Sequence, residues 1–247
     1  MKKLLLLLCI CLTAHVLMAQ QTYDKVIPAT GISNSTVRLE IPVGTLNLNA
    51  SGSDLISTKI QYSLVSWTPR MDLNKKNGTA ALELSQKKVS GNQSDVENNW
   101  DVNLSKNTPL ELYLQMGAGE SKIDLGNSKV QKLEIQAGAV ALDVKLAKSA
   151  LREANIKAGV GELNLDLSGD WNHDLTLDIA GGMGEINLTL PKGTGVKLET
   201  SGFGSQDLSG LTKKGRFYIN EAFGKANHTL TIKAAGGLGS ITVRNQD

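Results

Sequence analysis

The sequence predicts an all-β protein, built as a single-domain β-solenoid (β-helix-like) with coils of roughly 20 residues. A unit made of a glycine-rich corner and an alternating apolar/polar run recurs, most clearly as AGVGELNLDL at 158–167. Further copies lie 21 positions earlier, at 137–146, and 23 positions later, at 181–190. Alternation at period two is typical of a strand with one buried face and one solvated face. A single coil cannot bury its apolar row alone, so the repetition predicts that successive coils stack.

Within each coil we expect two strands separated by the corner. In the clearest copy Leu163, Leu165 and Leu167 form the inward row. Glycine suits a corner because it tolerates a positive φ and allows close backbone approach. The predicted structural corners are Gly119, Gly138, Gly161, Gly184, Gly204 and Gly239.

The amino-terminal third is predicted to be rich in hairpins and antiparallel. A strand at 55–67 is broken by Thr68–Pro69. Asn77–Gly78 indicates a tight turn between two short strands. A polar loop is expected at 89–99. Near the carboxyl end, 201–220 departs from the regular spacing, as terminal coils do.

The first 19 residues are typical of a secretory signal peptide, since Lys2 and Lys3 precede an apolar run that ends near Ala19. We therefore expect a mature domain at 20–247, with no integral membrane anchor after cleavage. Both cysteines, Cys9 and Cys11, fall within the signal. The mature chain is thus predicted to be exported, to the periplasm or the cell surface, and to hold together without disulfides.

Composition and motifs argue against several function classes. Without the two signal lysines, basic and acidic residues balance at 24 each, so no basic surplus indicates nucleic-acid binding. The run at 181–186 begins like a calcium-binding β-roll repeat, but Ile186 stands where an acidic ligand is required. His173 and His228 are far apart and lack partners at metal spacing. We predict no catalytic residues, no metal site and no cofactor.

The outward positions of the repeats form the predicted interaction face. Acidic side chains recur there and could bind calcium or act as a glycosidase pair, but mixed residue types favour a solvated face. Trp100, at a strand start, is expected in the core, whereas Trp171 is the tryptophan most expected to be exposed. The predicted face comprises Trp171, Glu162, Asn164, Asp166, Glu185 and Asn187.

The chain resembles toast-rack domains. The resemblance rests on the order NWDVNL at 99–104, PLEL at 109–112 and GAG at 117–119, with the GxG-plus-strand units covering about 37–243. That group includes the C-terminal domain of LiaF-like cell-wall-active-antibiotic response proteins and related candidate bacterial adhesins. The resemblance implies a right-handed, extracytoplasmic β-solenoid in envelope-stress sensing or surface interaction, without known catalytic residues. LiaF-like proteins carry transmembrane helices ahead of this domain, whereas this chain has only the signal segment.

Three functions follow as hypotheses. The first is a non-enzymatic, exported binding, sensing or adhesin-like module whose unidentified partner is an envelope protein or a glycan. The second is a polysaccharide-active β-helix enzyme, which would need carboxylates and a basic side chain gathered in one cleft. The third is a structural or assembly role through an exposed end coil, since unprotected strand edges invite pairing.

Overall fold

The computed structural model describes residues 20–87 and 96–245. The predicted signal peptide and most of the predicted polar loop at 89–99 lie outside them. Apart from one 3₁₀ turn, Val65–Trp67, the described secondary structure is all strand. No helix in these two ranges is long and apolar enough to span a membrane. The strands are β1 Gln21–Ile27, β2 Asn34–Gly52, β3 Ile56–Tyr62, β4 Arg70–Lys76, β5 Thr79–Ser85, β6 Asn98–Ser105, β7 Leu110–Asp124, β8 Val130–Lys145, β9 Glu153–Asp166, β10 Leu175–Leu190, β11 Gly195–Ser201, β12 Ser205–Asp207, β13 Thr212–Lys214, β14 Phe217–Ile219, β15 Thr229–Ala235 and β16 Leu238–Asn245.

The strands form one mixed, 16-stranded sheet that does not close on itself. Five long strands, β2 and β7 to β10, take part in two ladders. The first ladder contains the amino-terminal half of each long strand, and the second ladder contains the carboxyl-terminal half. The first ladder has the order β4-β5-β2-β7-β8-β9-β10-β15-β11-β14-β13. The second ladder has the order β1-β3-β6-β2-β7-β8-β9-β10-β16-β12. The all-β prediction is confirmed.

The repeats stack as parallel, in-register neighbours. Leu142 in β8 pairs with Leu163 in β9, which pairs with Ile186 in β10. These side chains are buried, together with the inward residues of the first ladder, in one hydrophobic cluster. The shared core therefore covers the inner face of each ladder, while the alternate residues of each strand face solvent.

In β2 and β7 to β10 the corner does not separate strands, contrary to the prediction of two strands per coil, whereas the last corners do separate β11 from β12 and β15 from β16. In β7 the buried positions change from even (Leu112, Leu114, Met116) to odd (Ser121, Ile123) across the glycines, while the pairing with β8 continues. A corner that shifts the inward phase by one residue lets both halves of a continuous strand face the same core.

Glycine is required at these corners for two reasons, as Gly184 shows. Its φ is +133°, and a Cβ there would overlap the carbonyl oxygen of Gly161 in β9. Gly119, Gly161 and Gly239 share both properties. Gly138 and Gly204 lack the positive φ but face a neighbouring carbonyl in the same way. In β8 the equivalent of Gly161 is Val140, whose side chain is buried.

The amino-terminal part is partly antiparallel. β1 pairs antiparallel with β3, β3 with β6, and β4 with β5. Asn77 and Gly78, both with positive φ, form the tight turn of the β4–β5 hairpin, as predicted. β2 nevertheless pairs parallel with β5, β6 and β7, so the antiparallel strands extend a parallel stack.

The carboxyl-terminal strands do not follow chain order. β15 lies between β10 and β11, and β16 lies between β10 and β12. The last strands in the sequence are therefore interior, and β11 to β14 lie at the sheet's carboxyl-terminal edge. The outer strands β4 and β13 each end in two exposed lysines, which discourage edge-to-edge pairing.

Candidate functional site

The outward surface of the second ladder carries polar side chains across seven strands or strand halves. We call it the polar face and define it by two rows of residues that pair across neighbouring strands. The first row is Asp101, Asn47, Lys122, Asp143, Asn164, Asn187 and Thr242; the second is Asn103, Asn49, Asp124, Lys145, Asp166, Thr189 and Arg244. Neighbouring residues of a row are held about 4.8 Å apart by the ladder spacing. The period-two alternation of each strand places these side chains outside, opposite the buried leucines and isoleucines.

Side-chain hydrogen bonds link the first row across strands. The Nδ2 of Asn187 donates to the Oδ1 of Asn164 at 3.0 Å, and the Nδ2 of Asn164 donates to the Oδ1 of Asp143 at 2.8 Å. Farther along the row, Asn47 donates to Asp101 at 3.2 Å. These short side chains are thereby fixed in orientation before any ligand arrives. A preorganised polar surface loses little conformational entropy on binding.

Opposite charges alternate along the rows. In the second row Asp124 is followed by Lys145 and then Asp166, and in the first row Lys122 is followed by Asp143. Within the described ranges Lys122, Lys145 and Arg244 make no ion pair, so their ammonium and guanidinium groups are available to a ligand. A shallow groove of about 660 Å³ runs along this part of the face.

The predicted face residues fall on this ladder, with one exception. Asn164, Asn187 and Asp166 belong to the two rows. Glu162 and Glu185 pair with each other two residues nearer the corner than Asn164 and Asn187, and both are exposed. The Nδ2 of Asn187 also donates to Glu162 Oε1 at 3.2 Å, which connects this corner position to the face.

Trp171 is the exception, and its predicted exposure is wrong. Its side chain is only 5% exposed, its Nε1 donates to the carbonyl of Leu167 at 2.8 Å, and its ring meets His173 edge-on. The indole fills the space behind the turn after β9, while its neighbours Asp170 and Asn172 point to solvent. Trp100, as predicted, is fully buried.

Sequence reasoning missed the amino-terminal and carboxyl-terminal parts of the polar face. Asn47 and Asn49 lie in an early repeat, and aligning LNLN at 46–49 with LNLD at 163–166 would have placed them. Arg244 occupies the position of Thr189 in the last repeat. Lys122 and Lys145 were visible as outward residues, but only the pairing shows that they alternate with carboxylates.

The acidic residues considered as a metal or catalytic row divide into separate rows. Asp124 and Asp166 flank Lys145, whereas Glu120 lies across from Ala141 near the corner. Within residues 20–87 and 96–245 no three His, Cys, Asp or Glu side chains are grouped to hold a metal ion. His173 is used structurally: its Nε2 lies 2.8 Å from the carbonyl oxygen of Leu151 and its Nδ1 lies 2.7 Å from Asn172 Oδ1.

An apolar ridge lies along the corner, which the sequence reasoning did not predict. Val160, Met183 and Leu238 pair in register across β9, β10 and β16, and are 46%, 53% and 62% exposed. Phe203, whose backbone N–H donates to the carbonyl of Gly237, extends the ridge and is 92% exposed. These side chains point outward because, at the corner glycines beside them, the alternation of inward and outward residues shifts by one position.

Comparison with known proteins shows which family this chain resembles. The chain matches the family model of the N-terminal domain of toast_rack, DUF2154, over residues 18–151 and 140–189, which is more than half of its length. No curated protein matches it significantly.

Among solved structures, the chain is similar to the crystal structure of a candidate cell adhesion protein from Clostridium sporogenes. The sequence identity is 27%, the TM-score is 0.72, and the alignment covers 92% of this chain and 100% of that one. Candidate adhesins from Bacteroides fragilis (14% identity, TM-score 0.33, 90% and 97% coverage) and Parabacteroides merdae (12%, 0.24, 92% and 96%) are also similar, but TM-scores this low do not establish a shared fold. On the family match and the full-length structural likeness, this chain belongs to the toast-rack family.

Proposed function

We propose that the protein is an exported, non-enzymatic, adhesin-like binding module of the cell envelope, and that its polar face holds a glycan. The observation that carries the proposal is the hydrogen-bonded row from Asn187 through Asn164 to Asp143. Amide and carboxylate groups fixed at the ladder spacing can donate to and accept from successive hydroxyl groups of an extended polymer. The alternating lysines and aspartates beside them add charged donors and acceptors.

A glycan suits the polar face better than a protein does. Binding energy at protein interfaces is concentrated in buried Trp, Tyr, Arg and other large side chains surrounded by a rim. Both rows of the polar face consist of polar residues, and Arg244 is their one member of that set. The hydroxyl groups of a glycan can pair with the amide, carboxylate and ammonium groups that both rows present.

Family and architecture support the wider proposal. The structure similar over nearly the whole chain is that of a candidate cell adhesion protein, and the amino terminus has the pattern of a secretory signal. We further propose a right-handed solenoid with coils of roughly 20 residues; the in-register pairing of Leu142 with Leu163 supports the coil length. In the cell, such a module would serve surface interaction or envelope-stress sensing.

The test is glycan binding by the mature chain, residues 20–247, on an array of envelope polysaccharides. The double variant Asn164→Ala, Asn187→Ala should lose at least about fivefold in affinity, since two cross-strand hydrogen-bonding groups disappear. Asn155→Ala is the matched control, because Asn155 lies outward on the first-ladder half of the same β9 strand.

Two outcomes would overturn the proposal. Equal losses for the Asn155 control and the double variant would show that the polar face is not the binding surface. Shortened or unsaturated glycan products after incubation would favour the polysaccharide-active enzyme instead, with Asp166, Lys145 and Arg244 as the groups to replace first.

A further inference from the structure

A second groove lies on the opposite ladder, just before the corner. It has a volume of about 640 Å³ and crosses β2, β7, β8 and β9. Its floor includes Gly117, Gly138 and Gly159, where a Cβ would meet the carbonyl of the residue paired on the neighbouring strand. The packing of the ladder thus keeps this floor free of side chains, and backbone is exposed along it.

One bank of the groove is a row of four polar side chains in register. Glu40 in β2 pairs with Gln115 in β7, Gln115 pairs with Gln136 in β8, and Gln136 pairs with Lys157 in β9. The row therefore has a carboxylate at one end, two amides in the middle and an ammonium at the other end. Three ladder spacings separate the ends, which is about 14 Å between Cα atoms.

The side chains of this bank are available to a ligand. Within the described ranges Glu40, Gln115 and Lys157 make no side-chain hydrogen bond or ion pair, and Glu40 and Lys157 are too far apart to neutralise each other. The Nε2 of Gln136 donates a hydrogen bond to the Oε1 of Glu134 at 2.9 Å, and this bond orients the Gln136 amide. Since Lys157 and Glu40 are not paired, a ligand with a positive group at Glu40 and a negative group at Lys157 gains a favourable charge interaction at each end.

The remaining lining is mainly apolar, and Gln86, its further polar residue, is buried with its amide hydrogen-bonded to Asn98. Ile41 and Met116 are also buried beneath the groove. Pro42, Ala137 and Ala158 contribute to it beside the glycines. A ligand for this groove must therefore be narrow, with amide partners in its centre, a cation for Glu40 and an anion for Lys157. An extended peptide rises about 3.3 Å per residue, so about four residues span the 14 Å between the two charges.

We propose that this groove binds a short, extended peptide of about four residues, with its α-amino group at Glu40 and its α-carboxylate at Lys157. The two glutamine amides hydrogen-bond the central peptide groups, and the glycine and alanine floor accepts small side chains. A purely anionic ligand is disfavoured by Glu40 and a purely cationic one by Lys157. The site is independent of the glycan proposal, because it lies on the other ladder and uses none of the polar-face residues.

The experiment is an NMR titration of the mature chain with tetra-alanine carrying free ends, following the backbone amides of Gly117 and Gly138. Acetylating the amino end, or amidating the carboxyl end, should each weaken binding about three- to fivefold, as expected for one exposed charge pair. Glu40→Gln should abolish the effect of acetylation, and Lys157→Gln should abolish the effect of amidation. Glu83→Gln, an outward carboxylate on β5 outside the groove, serves as the control and should change neither.

A charge exchange distinguishes the proposed ligand from other occupants. Glu40→Lys or Lys157→Glu alone should weaken binding by about tenfold or more, because each replaces one exposed attraction with a repulsion of similar size. The double variant should restore it, with the peptide bound in the opposite direction. Absence of shifts with tetra-alanine, equal binding of the free and doubly blocked peptides, or failure of the double exchange in a folded protein would each overturn the proposal.

Discussion

The corner glycines provide the sharpest test of how this fold is held together. Gly184 combines a φ of +133° with a Cβ position that overlaps the carbonyl oxygen of Gly161. Gly184→Ala therefore brings backbone strain of about 1–3 kcal/mol. It also forces β9 and β10 apart at the corner, where about two ladder hydrogen bonds worth about 1 kcal/mol each are lost. We expect the free energy of unfolding to fall by about 3–5 kcal/mol.

Two further glycines separate the contributions. Gly138 lacks the positive φ, but its Cβ would overlap the carbonyl oxygen of Gly117, so Gly138→Ala should cost about 2 kcal/mol through the ladder alone. Gly215 has a φ of +62° and nothing within 4 Å of its Cβ position, so Gly215→Ala should cost about 1 kcal/mol through the backbone alone.

The assay is urea unfolding of the mature chain, followed by circular dichroism, with reversibility checked by dilution. The expected order of destabilisation is Gly184→Ala, then Gly138→Ala, then Gly215→Ala. If Gly184→Ala matched Gly215→Ala within about 0.5 kcal/mol, close approach between the stacked corners would not contribute, and this reasoning would be refuted.

Three further perturbations test other parts of the structure. Trp171→Ala should destabilise by about 3–5 kcal/mol, whereas Phe203→Ala should stay within about 0.5 kcal/mol, since only the first ring is buried; similar melting temperatures for both would contradict the assignment. Deleting 229–247 removes the interior strands β15 and β16, so limited proteolysis should cleave the remaining 195–219 region readily, whereas a peripheral carboxyl end would leave it protected. Burial raises the pKa of Tyr113, and its hydrogen bond to Glu111 at 2.9 Å raises that pKa further. Because the folded pKa is raised, this stabilisation is present below the unfolded tyrosine pKa and is lost as pH rises through the folded value. Glu111→Gln should move phenolate absorbance of Tyr113 to lower pH, and an unchanged titration would refute the role of Glu111.

Much of the architecture follows from local pattern. The period-two alternation around Leu163 decides which side chains are inward, because a strand offers only two faces. The similar spacing of the copies predicts that Leu142, Leu163 and Ile186 pair in register, and they do. The Asn77–Gly78 turn follows from the left-handed conformations that these two residues tolerate.

Other features depend on contacts between distant parts of the chain. Local pattern cannot show that β15 inserts between β10 and β11, since strands with similar apolar rows are interchangeable partners until the whole stack is assembled. The continuity of the five long strands through their corners likewise depends on neighbours, because a ladder persists only where the adjacent strand bends at the same place. Trp171 was misplaced for a related reason: its polar neighbours indicated a turn, but only the packed core shows space for an indole beneath it.

The candidate sites divide in the same way. The sequence by itself determined that Asn164, Asp166 and Asn187 are outward and polar, because alternation fixes the face of each residue within its own strand. Only the tertiary structure decided that Asn47 and Arg244 join them, and that Glu40 and Lys157 lie on one bank of a groove. Those relations depend on which strands are neighbours and in what register, and backbone hydrogen bonding between segments far apart in the chain sets both.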